Sequence, residues 1–477
     1  MNRDDRSYGA FCRILREELL EAMGCTEPIA IALAAARARD LLGTLPTAVD
    51  VQASGSILKN AKSVVVPHTG GLKGIEAAVA AGIVAGRAEE GLQVIARVAP
   101  EQLCEVERYR SAVPIRVKRA ETDNDLDITV RVEAAGGDES CGHCEAAVRI
   151  AHTHTGIVAE RVDGSVLFGE FLGAVEVPVP ASSSQDSPSS TGCSRGVSEI
   201  ASTQAGVAAN DECIPCVVGA DGAASADYSL LNMQAIWDFA NTVELDDVQA
   251  VIERQIACNK AVAEEGLRGQ WGASIGRVLL RAYGSDVKNK ACAWAAAGSD
   301  ARMGGCELPV VINSGSGNQG ITVSVPLMVY AEQLGSSEED LVRALVFANL
   351  AAIHMKQGIG RLSAFCGAVC AGAAAGAGIA FLEGDGYDSA IHALVNALSI
   401  VSGMVCDGAK PSCAAKIAFS VNAGILGLEM YRDGQQFYGG DGLVKKGVEN
   451  TIESIGRLGR NGMSTTNDEV IRIMLGS

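Results

Sequence analysis

The chain has 477 residues, of which 48% are hydrophobic and 4% aromatic, with 55 glycines. Length predicts two or three domains of ordinary size, and the apolar share excludes a largely disordered chain. A core this poor in aromatics must pack small side chains with backbones close together. The 39 basic and 57 acidic residues leave a net charge of −18, which disfavours nucleic acid and membrane-surface partners.

Met1 to Arg16 carries charges throughout and has no apolar h-region, so no secretory signal is read there. Without one, the 15 cysteines fit a reducing cytoplasm. There they serve as metal ligands, reactive thiols or small core residues rather than as a disulfide framework.

Ser7 to Leu42 reads mainly as helix, interrupted at Met23-Gly24-Cys25-Thr26-Glu27-Pro28. Thr26 suits a cap and Pro28 the first turn of a second helix, Ile29 to Leu42. Cys25 then sits at a helix N-terminus, where the dipole favours a thiolate. Ala48–Ala53 and Ser63–Pro67 are strand-like. His68-Thr69-Gly70-Gly71-Leu72-Lys73-Gly74 is a glycine-rich turn, a candidate anion loop or an ordinary turn, before an alanine-rich helix through Ala85. From Gln93 to Val179 the pattern alternates, predicting strands at Val94–Val98, Ile115–Val117, Leu126–Val132 and Ala147–Ile150. Ala181 to Ser194 is serine-rich and reads as a linker or loop.

Beyond Ser198 helical patterns dominate: Leu230–Val243, Asp246–Gly266, Ser274–Tyr283, Glu338–Met355, Leu362–Leu382, Tyr387–Met404 and Lys410–Tyr431. The fold class is therefore α+β, a mostly helical C-terminal domain joined to a smaller α+β domain. The expected divisions are 1–92, packing on the C-terminal domain; 93–180, the small α+β domain; 181–197, the linker; and 198–477, the helical catalytic domain. Leu362 to Leu382 has the length of a membrane span but is mostly Ala and Gly. It reads better as a buried helix that neighbours approach closely.

The strongest chemical constellation is Cys366, Cys406 and Cys413, with Cys370 competing for the first place. Cys406 and Cys413 flank a Gly/Pro turn that stops one helix and starts the next. Thiolates converging at helix ends suit a soft metal centre, and three on an iron–sulfur cluster leave one iron open. Small buried core residues are the competing reading. The second feature is Asn313-Ser314-Gly315-Ser316-Gly317-Asn318-Gln319-Gly320 after the strand-like Leu308–Ile312, a candidate nest for a carboxylate or phosphate. Cys141–Cys144 looks like a redox pair but sits where a hairpin turn is expected. Cys213–Cys216 is equally weak, and His152 and His154 match no usual zinc spacing. His354 and His392 read as ordinary helix residues.

Gly24-Cys25-Thr26-Glu27-Pro28, Gly70-Gly71-Leu72-Lys73-Gly74-Ile75-Glu76, His152-Thr153-His154-Thr155, Gly315–Gly320 and Cys406-Asp407-Gly408-Ala409-Lys410 together resemble the L-cysteine desulfidase family. That family is related to the α chain of iron–sulfur L-serine dehydratases. The resemblance runs from Cys25 to Cys413. It implies a [4Fe–4S] cluster held by Cys366, Cys406 and Cys413, a proton acceptor at Cys25, and release of ammonia and pyruvate from a β-substituted L-amino acid. On this reading the substrate carboxylate sits in the Ser314–Asn318 loop, with Ser314, Ser316, Asn318 and Lys73 as binding residues and Lys410 as a further charge. L-Cysteine, giving hydrogen sulfide, is the first expectation, and L-serine dehydration by the same mechanism is the alternative.

Two other readings stay open. A pyridoxal-phosphate eliminase would use the Ser316–Gly320 loop with Lys288 or Lys290. A non-enzymatic iron–sulfur or thiol redox sensor would use the cysteines alone. A homodimer is the default assembly.

Overall fold

The computed structural model describes residues 1–134, 144–172 and 226–476. In chain order the first part comprises α1 (Arg6–Glu18), β1 (Glu21–Met23), α2 (Thr26–Leu42), β2 (Ala48–Ala53), α3 (Gly55–Ala61), α4 (Ile75–Ala85), α5 (Leu103–Ala112), β3 (Ile115–Arg119), β4 (Asp127–Glu133), β5 (Glu145–Ala151), β6 (Ile157–Val162) and β7 (Ser165–Gly169). The second part comprises α6 (Met233–Thr242), α7 (Gln249–Arg268), α8 (Ile275–Tyr283), α9 (Val287–Met303), β8 (Pro309–Val311), α10 (Gly317–Leu334), α11 (Glu338–Ile359), α12 (Gly367–Leu382), α13 (Tyr387–Val401), α14 (Cys413–Arg432), α15 (Val448–Arg457) and α16 (Ser464–Leu475). The fold is α+β: a mixed sheet early in the chain and a mostly helical C-terminal half.

The sheet has the order β3-β2-β4-β5-β6-β7, with only β2 and β3 parallel. Its strands alternate β-branched residues, so one face gathers Val49, Val51, Ile128, Val130, Val132, Val148 and Ile150, all buried. The alanine-rich α2 packs against β4 and β5. Strand β2 comes from the first ninety residues yet lies between β3 and β4. Val94–Val98 forms turns instead of a strand: Val94 and Ile95 are buried without a strand partner. Ser63–Pro67 is reduced to a single bridge, Val65 with Lys73.

The helical half is built around α12. This segment is 16 residues long and flanked by buried neighbours, shorter than a membrane span requires. Its glycines decide how closely α14 approaches. A Cβ on Gly376 would lie 2.4 Å from the backbone of Gly424, and one on Gly372 would lie 2.4 Å from that of Ser420. Helix backbones touch along this line, as the small-residue composition predicts. Among the described residues one helix, Cys413–Arg432, is long and apolar enough to cross a bilayer, and 56% of its apolar window is buried inside the protein.

A second, two-stranded pairing sets the site. β1 runs antiparallel to β8, with Glu21 opposite Val311 and Met23 opposite Pro309. The N–H of Ile312 donates to the carbonyl of Leu20 (2.9 Å). The turn after β1 and the loop after β8 therefore emerge side by side, although nearly three hundred residues separate them.

Candidate active site

Four helix N-termini meet at one cavity. Cys25 is the N-cap of α2, Ser316 of α10 and Cys366 of α12, while Cys413 opens α14. All four line the same cavity, with Cys406, Glu27, Asn60, Arg302, Asn318, Gln319, Lys356, Arg361 and Lys416 also on its wall. Converging helix N-termini direct unspent backbone N–H groups and positive dipole ends at one place, which suits anions.

Two backbone links hold the thiols together. Cys366 N–H donates to Met404 C=O (3.1 Å) and Cys406 N–H to Ala364 C=O (2.6 Å). A bridge between Phe365 and Val405 lies between them. The start of α12 is thus stitched to the loop that carries Cys406 and leads to Cys413. Burial, then the charge of Cys406, pushes the Cys366 thiol up to about 12. Burial, with Cys406 again contributing, raises Cys413 as well. Cys370 points elsewhere: it is fully buried in the core, is absent from the cavity wall, and is pushed up to about 11 by burial.

The turn carrying Cys25 is held from several sides. Gly24 has φ +65, and a Cβ there would lie 2.3 Å from Pro67 Cγ, so glycine is required. Thr26 does not cap the helix. It is the first helical residue, and its hydroxyl donates to Gly315 C=O (2.9 Å). Cys25 Sγ donates to Glu27 Oε2 (3.1 Å), and Asn60 Nδ2 donates to Glu27 Oε1 (2.8 Å). His154 Nε2 stands 4.0 Å from the same Oε1. Burial opposes the charge on Glu27, but His154, the Cys25 S–H and Arg302 together hold its carboxyl well below the usual range.

Cys25 itself departs from expectation. Burial, and then the Glu27 carboxylate, raises its thiol well above the ordinary value, with Arg302 offsetting only part. The helix N-terminus favours a thiolate, but at a fully desolvated sulfur beside a carboxylate it is the weaker effect. The resting group is a thiol.

The Ser314–Asn318 loop also differs in detail. Ser314 and Gly315 both have positive φ (50° and 79°), and Asn313 and Ser316 exchange backbone hydrogen bonds (3.1 and 3.0 Å). This is a two-residue primed turn rather than an open nest. Ser314 turns inward, its hydroxyl donating to Asn313 Oδ1 (2.9 Å), and it is not on the cavity wall. Ser316 and Asn318 are. Asn318 Oδ1 and Gln319 Oε1 are buried without a hydrogen-bond partner.

Lys73 does not line the cavity. Its loop is closed by Val66 N–H to Leu72 C=O (2.9 Å) and Gly74 N–H to Val64 C=O (3.3 Å). It serves as a buttress, with Val64 packing beside Cys25 and Met303. Lys410 is likewise off the wall, its Nζ tied to Asp407. Lys290, suited in sequence to a Schiff base, pairs with Glu332 (2.9 Å) and lies over Trp294 away from the cavity. Of the cysteine pairs, Cys213–Cys216 and the first member of Cys141–Cys144 lie outside the described residues, while Cys144 is exposed and off the cavity wall. No sequence motif marks Arg302, Lys356, Arg361 or Lys416. Arg302 had a signal, a lone cation near the end of the alanine-rich run Ala291–Ala301.

Among the described residues no group of three or more His, Cys, Asp or Glu side chains converges to hold a metal ion. A cubane cluster asks for something different: each iron takes one thiolate, so the ligands stand at separate corners rather than around one point. Three cysteines on one cavity wall, with Lys356 and Lys416 beside them, fit that demand in donor type and in charge.

The serine dehydratase alpha chain family matches residues 89–472. A UPF0597 protein of Desulfitobacterium hafniense is 49% identical over 477 residues, covering 100% of this chain and 98% of the relative. One of Lachnoclostridium phytofermentans is 42% identical, covering 98% and 100%. One of Treponema denticola is 39% identical, covering 100% of both.

Proposed function

The chain belongs to the serine dehydratase alpha chain family, and from that premise we propose that it is a lyase eliminating the β-substituent of a small L-amino acid. L-Cysteine is the proposed substrate, with hydrogen sulfide, ammonia and pyruvate as products. The observation that carries this reading is the shared cavity of Cys25, Ser316, Cys366, Cys406 and Cys413, drawn from four distant segments.

Cys366, Cys406 and Cys413 are the residues that would hold a [4Fe–4S] cluster. When bound, it supplies a Lewis-acidic iron for the departing β-heteroatom. The helix N-terminus at Ser316 offers N–H groups to the substrate carboxylate. Asn318 Oδ1 and Gln319 Oε1 are unspent acceptors of the kind an α-ammonium satisfies.

Cys25 takes the α-proton on this reading. It does so from its ionised form, which burial and then the Glu27 carboxylate make scarce at neutral pH. Loss of the α-proton and of hydrosulfide leaves an aminoacrylate, whose imine tautomer takes up water to give pyruvate and ammonia. L-Serine is the second substrate, favoured by the family's own description; it gives pyruvate and ammonia without sulfide. Anaerobic protein supplied with each amino acid, assayed for pyruvate and sulfide, tests the proposal. Pyruvate from neither overturns it.

A further inference from the structure

Four cations line the cavity, and three are committed. Arg361 gives both terminal nitrogens to Glu18 (2.7 and 3.3 Å). Lys416 is paired with Asp407 and donates to Val405 C=O (2.6 Å). Lys356 donates to Gly360 C=O and stands among the sulfurs of Cys370, Cys406 and Cys366 and the carboxylate of Asp125.

Arg302 is different. It is 3% exposed. Its Nε donates to Gly24 C=O (3.0 Å), and among the described residues the guanidinium has no other hydrogen bond and no ion pair. Its two terminal amino groups are unspent. The side chain lies across the first turn of α10, where a Cβ on Gly317 would come within 2.4 Å of Arg302 Nε. Arg302 thus stands beside a helix N-terminus on the wall of a cavity where Cys25 and Glu27 also lie.

A buried guanidinium with a free fork, next to unsatisfied helix N–H groups, matches a carboxylate in charge and shape. We infer that Arg302 binds the substrate's α-carboxylate bidentately and restricts the site to small molecules with an unblocked carboxylate. This deepens the amino-acid lyase reading and rests on it. Anchored there, the substrate's α-carbon lies near Cys25, whose turn Arg302 also holds through Gly24.

The test uses pyruvate and its neutral isostere pyruvamide, titrated by calorimetry against the full chain without turnover. The native protein is expected to bind pyruvate at least about tenfold more tightly. Arg302→Gln should abolish the preference and Arg302→Lys should retain part of it. Equal binding of the two compounds by the native protein overturns the inference. So does absence of pyruvate binding at millimolar concentration, or full preference in a folded Arg302→Gln variant. If that variant does not fold, the native comparison decides alone. Native protein that prefers pyruvate but turns over no amino acid supports the Arg302 assignment while overturning the lyase proposal.

Discussion

Cys25 donates its S–H to Glu27 Oε2 across 3.1 Å, with both side chains buried. The pair fixes a thiol where the sequence suggests a thiolate. The carboxylate is stabilised by Asn60, His154 and Arg302 and in turn disfavours a second negative charge on the neighbouring sulfur.

The first prediction follows from that sign. A proton acceptor with a raised pKa works only as pH climbs toward it, so turnover should keep rising through about pH 9. Glu27→Gln removes the repelling charge and should move the rising limb to lower pH by about one unit or more. Cys25→Ala should keep its iron and lose turnover. Steady-state rates between neutral pH and pH 10, with iron analysis of each variant, check this. An unmoved limb in Glu27→Gln contradicts the coupling.

Cys366 and Cys370 separate cleanly. Only Cys366 is on the cavity wall. Cys370→Ala removes one small buried sulfur and should cost about 1 kcal/mol of stability or somewhat more, with iron content unchanged. Cys366→Ala should lose most of the iron. Iron content after anaerobic reconstitution distinguishes them.

Lys59 is a buried cation whose ammonium donates to Asn467 Oδ1 (2.8 Å) and to the carbonyls of Ser363 and Cys406 (both 3.4 Å). It ties the loop carrying Cys406 to the segment before Cys366 and to α16. Lys59→Met leaves these oxygens without their donor. It should cost about 1–3 kcal/mol of stability and speed iron loss to a chelator, followed by visible absorbance. Chelation at the native rate contradicts the bracing role.

The α12/α14 contact has its own test. Gly376→Val places side-chain atoms where the backbone of Gly424 lies, so the helices must separate. A loss of about 3 kcal/mol or more is expected, measured by chemical denaturation. An unchanged midpoint would show that the contact has room to spare.

How much of this was legible in the sequence depends on the range of each signal. The α12 segment was readable because Ala and Gly at high density leave few options but close helix packing. The three cavity thiols were readable because Cys406 and Cys413 bound the Gly/Pro turn before a helix start, and Cys366 lies just before a small-residue helix. The β1–β8 pairing was not: Glu21–Met23 and Pro309–Val311 are three residues each, and nothing local links them. The protonation of Cys25 was likewise hidden, because it depends first on burial and then on the Glu27 carboxylate, whose charge is held by His154 and Arg302, both remote in sequence. The loop at Lys73 misled because a glycine-rich turn looks the same whether it holds an anion or braces a neighbour. Arg302 carried only the faint signal of a lone cation closing an alanine-rich run, and its role shows where α9 ends against α10.

The most direct measurement is the iron content and visible spectrum of anaerobically reconstituted protein, native and with Cys406→Ala or Cys413→Ala. The native protein is expected to hold about four irons per chain and to show a broad brown absorbance, both lost in each variant. Native protein without iron, or variants that bind it equally well, would contradict the cluster and the lyase chemistry built on it.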